Sequence, residues 1–213
     1  MYQRSQEFYD IFIRSILDYH LWDDTEAELH NPYAPDSLNA LLYHKNWIDT
    51  VQWHLEDIIR DPEIDGLRGL SIKRRIDSLN QRRTDTVEHI DDHFAELYKN
   101  IAPRTDARHN TESLGWAIDR LSILALKEYH LDQELVRSDA HAHHINNCQA
   151  RKKVLTAQKE DLFLSINWLM EDLASGVRTY KVYKQLKMYN DAAFNPVLYR
   201  SRAVIPSADS WQA

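Results

Sequence analysis

Residues 72–101, IKRRIDSLNQRRTDTVEHIDDHFAELYKNI, decide the fold. Ile72, Ile76, Leu79, Val87, Ile90, Phe94, Leu97 and Ile101 fall on one side of a 3.6-residue period, so the stretch reads as one amphipathic helix. About 30 residues at helical rise make a rod about 45 Å long. Such a rod hides its apolar stripe only against neighbours of comparable length, which predicts an all-α bundle.

The flanking sequence supplies those neighbours. Phe8, Phe12, Ile16 and Tyr19 predict a first helix over residues 2–23. A second begins after Asp36 or Ser37 as N-cap and stops before Pro62, with Trp47, Ile48, Val51, Leu55, Ile58 and Ile59 as its apolar face. Leu114, Ile118, Leu121, Ala125, Leu135 and Val136 mark a fourth helix over residues 111–138, which also carries Trp116 and Ile123 on its other side and is therefore expected to be central. Gly115 sits unfavourably early in that helix. The fifth, residues 142–175, carries Cys148, Leu155, Leu162, Ile166, Leu169 and Leu173 and ends at Gly176, a natural C-cap. A shorter sixth helix is expected near residues 178–190. Residues 1–202 are read as a single bundle domain and 203–213 as a flexible tail, with no segment alternating as a strand.

Composition narrows the class. At 43% hydrophobic and 28% charged the chain is that of a globular protein. No apolar run approaches the roughly 20 residues that cross a bilayer, and MYQRSQEFYD lacks a secretory signature, so a cytoplasmic location without membrane contact is expected. One cysteine, Cys148, excludes an internal disulfide and reads as apolar filler. The net charge of -7 makes nucleic acid an unlikely partner. Residues 177–202 nevertheless carry six cations against Asp191, including Lys187, and form the one basic segment able to meet an anion.

Several polar residues sit in apolar stripes. His44 shares a narrow wedge of the second helix with Val51 and Ile58. Arg83 interrupts the third-helix stripe, and Glu128 and Asp132 stand one turn apart on the fourth. A buried unpaired charge costs several kcal/mol, roughly a large share of a domain's total stability. Three arrangements avoid that cost. Arg83 forks onto Glu128 or Asp132 while His44 donates to a carbonyl or carboxylate; or the groups line a pocket with Arg83 as anion clamp and His44 as donor or acid/base; or the helical phase lets Arg83 reach outward. Trp53 and Trp116 lie opposite their own core faces, either to meet another helix layer or to dock a partner protein or second copy.

Metal and cofactor motifs are missing. No histidine has a glutamate three residues before it, HExxH is absent, and His89 and His93 border a solvent face. HAHH at 141–144 reads as a solvated turn, and the E-x-x-D of Glu88 and Asp91, with no ExxE before it, is too little for a magnesium site. No metal and no cofactor is expected. The segment RTYKVYKQLKMYND, residues 178–191, interleaves tyrosines with lysines, and a helix turning its tyrosines inward accounts for it more simply than base stacking does.

Four strings, NWIDTVQWHLEDIIRD, RRIDSLNQRRTDTVEHID, AIDRLSILALKEYH and YKQLKMYNDAAFNPVLY, resemble an all-helical bacterial family, domain of unknown function family 4254, over about residues 40–200. The resemblance implies a stand-alone cytosolic bacterial protein, loosely linked to cell-envelope sugar metabolism, and assigns no catalytic residues. The resulting expectation is a bundle that binds a small phosphate-bearing anion through Arg83 and Lys187, with His44, Glu128 and Asp132 orienting it. The alternative is a non-enzymatic interaction bundle docking through Trp53 and Trp116.

Overall fold

The computed structural model describes residues 3–185 and 193. Its helices are α1 (Gln3–Tyr19), α2 (Leu38–Ile58), α3 (Gly66–Tyr98), α4 (Leu114–Leu135) and α5 (Ala142–Ala174). Met1–Val182 forms one compact unit; Tyr183–Ala213 is a second, of which only 183–185 and 193 are described. Among the described residues no helix is long and apolar enough to cross a membrane.

Side chains close most helix starts. Ser37 accepts from the Ala40 amide at 3.1 Å at the head of α2, and Asp65 accepts from Leu67 and Arg68 at the head of α3, each satisfying donors that lack an intrahelical partner. α1 is shorter than its pattern predicts. The amides of Trp22 and Asp23 both return to the Tyr19 carbonyl, closing a turn that leaves Asp23 at φ 48°. Leu21 and Trp22 are consequently exposed.

α4 packs against all four other helices, as its two-sided apolar pattern demands. Around it gather Phe12 and Ile16 of α1, Leu42 and Ile48 of α2, Ile90 and Phe94 of α3, and Ile166 of α5, all buried. Ile76, Leu79, Val87, Ile90 and Phe94 of the α3 stripe face this core. At its C-terminal end the stripe fails: Leu97 and Ile101 are exposed, and Tyr98 stacks on Phe94 instead.

The early glycine of α4 has a packing cause. A Cβ on Gly115 would lie 2.7 Å from both the Asp91 carboxylate carbon and the Val87 carbonyl oxygen of α3. Through that close approach Asp91, buried, accepts from the Gly115 amide at 2.7 Å and from the Ser113 hydroxyl at 2.6 Å. A carboxylate thus caps the positive end of α4 from a neighbouring helix.

The segment expected as a sixth helix differs in its described part. Gly176, at φ 70°, ends α5 and turns the chain back, so that β2 (Arg178–Thr179) pairs in parallel with β1 (Arg108–His109). The Arg108 amide donates to Val177 and the Asn110 amide to Thr179. The carbonyls of Gly176, Val177 and Thr179 are thus committed to the α3–α4 connection and are not free to start a helix. Residues 180–185 are irregular, and the rest of the expected helix and the tail at 203–213 lie outside the described residues.

Gly115→Ala is expected to lower stability by about 1–3 kcal/mol, the ordinary cost of overpacking, because backbone on α3 cannot yield to the new methyl. Urea denaturation measures this, with Gly69→Ala, where a Cβ meets only an ordinary contact at 3.8 Å, as the comparison.

Candidate functional site

Lys45 of α2 is wholly buried. Its ammonium pairs with the Asp49 carboxylate one turn along and lies 2.8 Å from Asp119 Oδ1 of α4. Arg83 of α3 donates to Asp119 from Nε at 3.0 Å and Nη2 at 2.5 Å, and its Nε lies 3.3 Å from Asp49 Oδ1. Ser122 donates to Asp49 at 2.7 Å and accepts from Asn46 at 2.9 Å. Two cations and two carboxylates from three helices therefore form a neutral cluster in the bundle interior. Burial pushes the Asp49 carboxyl up. For Asp119 burial acts the same way, but Lys45 and Arg83 outweigh it and hold the carboxyl below the usual aspartate range.

Arg83 is the one member of the four with substantial exposure, 28% of its side chain. It forms part of the wall of a cleft of about 500 Å³ whose other sides come from α4 and α5. Asp119, Arg120, Lys127, Gln158, Asp161 and Ser165 supply the other polar groups there. Arg120 pairs with Glu112 at 2.8 Å. A neighbouring cleft of about 680 Å³, lined by Trp53, His130 and Arg151, shares Lys127 and Gln158 with it.

The sequence-predicted residues separate into different places. Arg83 does fork onto a carboxylate, but that of Asp119 and not Glu128 or Asp132. Asp119 and Glu128 are nine residues apart on α4, about 180° around the helix, so they face opposite neighbours. Glu128, buried, accepts from Tyr9 at 2.6 Å and from Lys159 at 3.1 Å, joining α1 to α5. Asp132 accepts from Lys152 at 2.7 Å. His44 is half-buried and does not join the Lys45 cluster; its Nε2 lies 3.3 Å from Arg82 Nη2. Burial first and Arg82 second push its imidazole down, so it is a neutral acceptor there. Lys187 lies outside the described residues. Trp53 and Trp116 are half-buried rather than exposed, and Trp53 meets another layer, stacking on His130 with ring centres 4.7 Å apart.

Sequence reading missed Lys45, Asp49 and Asp119 because α2 and α4 are buried nearly all round. Where so little solvent face exists, a stripe does not single out the inward position, and lysine is by habit assigned outward. It also missed a histidine group. His20, just past the end of α1, His54 of α2 and His130 of α4 bring one ring nitrogen each within 4.8 Å of the others. They come from separate elements, so no local spacing betrays them. His89 and His93, which do share a helical spacing, are both exposed.

A family model described as a protein of unknown function, DUF4254, matches residues 39–182. No curated protein and no solved structure matches the chain.

Lys45→Met removes one cation and leaves two carboxylates facing Arg83, so a loss of about 3–5 kcal/mol is expected from urea denaturation. The pH dependence follows from Asp119. Its folded pKa lies below its unfolded value, so its pairing contributes stability fully present above about pH 4 and lost as pH falls below that. In Asp119→Asn that acid-side loss is expected to shrink, read from denaturation midpoints between neutral and acid pH.

Proposed function

The chain belongs to the DUF4254 family, and we propose that it binds a small phosphate-bearing metabolite in the cleft lined by Arg83, Arg120 and Lys127. One observation carries this reading: Arg83 is a permanent cation held in place by Asp119 yet partly exposed on the cleft wall. Its Nε and Nη2 are engaged by carboxylates, and neither of those contacts uses Nη1. A guanidinium fixed in this way loses little conformational freedom when an anion arrives.

The surroundings agree with a small ligand. About 500 Å³ lies in the range of small-molecule sites. Lys127, exposed, adds charge that can follow the ligand, while Ser165 and Gln158 add neutral hydrogen-bonding groups. Asp161 is a carboxylate acceptor suited to hydroxyl donors, which favours a sugar phosphate over inorganic phosphate and is compatible with a link to envelope sugar metabolism. The reading is one of binding and assigns no reaction.

Thermal denaturation against inorganic phosphate, hexose phosphates and nucleoside diphosphates tests it. A saturable rise in midpoint with a hexose phosphate is expected, weakened by added salt. Lys127→Glu, a change at an exposed position, is expected to weaken that affinity by about tenfold or more, roughly 1.4 kcal/mol. Failure of every phosphate compound to raise the midpoint, or a Lys127→Glu protein that binds like the original, overturns the proposal.

A further inference from the structure

We propose that His20, His54 and His130 form a binding site for one zinc-class divalent cation at the end of α1. The site is separate from the anion cleft, and neither assignment depends on the other.

The geometry begins with His20. Its Nδ1 lies 2.7 Å from the Ile16 carbonyl oxygen, which can only accept, so Nδ1 carries a proton and Nε2 is the nitrogen free to offer a lone pair to a metal. That arrangement, a ring fixed by a carbonyl behind it, is how metal-binding imidazoles are oriented. His20 Nε2 faces His54 Nε2 at 3.3 Å. Two nitrogens bound tetrahedrally to zinc at 2.0–2.1 Å stand about 3.3–3.4 Å apart, so this pair is already at the required spacing. At that spacing, a metal-free pair in the tautomer with Nε2–H on His54 shares that one proton between the two rings. Metal binding replaces it, and the proton moves through solvent to His54 Nδ1, leaving both imidazoles neutral.

His130 supplies the third donor. Its Nε2 is buried and has no hydrogen-bond partner among the described residues. Leaving a buried polar atom unsatisfied is costly, and a cation between the three rings removes that cost. All three donor atoms lie within 4.8 Å of one another, so reaching the tetrahedral value takes a shortening of at most about 1.4 Å, a modest rotation of a side chain. Burial, with the neighbouring histidines, lowers His130 to about 4 and His54 below its ordinary value, so both are neutral ligands at pH 7.

Neighbouring rings pack against the donors. Tyr19 stacks on His54 with centres 5.1 Å apart, Tyr129 lies 4.5 Å from His20, and Trp53 covers His130 at 4.7 Å. Asp23 provides negative charge, its Oδ1 lying 4.0 Å from His54 Nε2. The left-handed turn at φ 48° that ends α1 is what brings it there. Three imidazoles with one adjacent carboxylate suit Zn²⁺, Co²⁺ or Ni²⁺ and not the oxygen-seeking Mg²⁺ or Ca²⁺.

The test uses the full chain after treatment with a chelator. Zn²⁺ is titrated in competition with a chromophoric chelator, and Co²⁺ binding is followed by visible absorption. One tight equivalent is expected, with the intense absorption of four-coordinate Co²⁺ and a rise in thermal midpoint. His54→Ala and His130→Ala are each expected to weaken it at least a hundredfold, with folding checked by circular dichroism. The exposed pair His143 and His144 is the competing explanation, and the double variant His143→Ala, His144→Ala is expected to keep the tight equivalent. Absence of that equivalent, its survival in both triad variants, or its loss with His143 and His144 overturns the assignment. If either triad variant fails to fold, the Co²⁺ spectrum of the unaltered chain decides: four-coordinate absorption supports the site and the weak spectrum of hydrated Co²⁺ overturns it.

Discussion

An ammonium group with no access to water must be neutralised where it lies, and in this protein that requirement joins three helices at one point. Lys45 contributes the charge, Asp49 answers it from the same helix, and Asp119 answers it from the central α4, while Arg83 balances the second carboxylate from α3. Apolar packing brings these helices together without regard to small slides along their axes. The ion cluster adds a condition of registry, since a shift of one turn would strand a buried charge at a cost of several kcal/mol. Gly115 serves the same end from the other side, letting α3 approach closely enough for Asp91 to reach the head of α4. The cluster's only substantial outlet to solvent is Arg83, so the residue that fixes registry also presents a positive charge to the adjoining cleft.

The architecture was legible because long helices leave long signals. Helix breakers and the α3 stripe revealed five rods, and the two-sided pattern of α4 revealed its central position. Ser37 and Gly176 also act as the sequence predicts. Tertiary circumstances decided what was hidden. Arg83 stands out as a cation in an apolar stripe, yet its partner lies on the face of α4 opposite Glu128, and periodicity does not say which of two buried faces a neighbour will use. His44 stands out in the stripe although the next residue, Lys45, carries the inward charge, because one position is about 100° of rotation and a nearly enclosed helix offers little solvent side to calibrate against. The ladder between β1 and β2 was invisible for another reason: two residues cannot establish an alternation.

The histidine group and the cleft show how differently two sites can be assembled. The cleft depends on side chains along α3, α4 and α5 whose spacing repeats every turn. The histidines converge from a helix end and two helix interiors, and the aromatic rings of Tyr19, Tyr129 and Trp53 pack against them. Burial keeps His54 and His130 uncharged, whereas the ion cluster survives burial by pairing. One bundle thus contains both solutions to the problem of polar groups in an apolar interior.

The tie from Tyr9 to Glu128 to Lys159 bears on where the folded body begins. The family match opens at residue 39, after α1 has ended, yet α1 contributes Phe12 and Ile16 to the centre of the core and a phenol to a buried carboxylate. A chain trimmed to the matched boundary would uncover one wall of the bundle and remove His20 with it. For this protein the limits of recognisable kinship and the limits of an independently folding body are different lines, and anyone cutting the gene should follow the second.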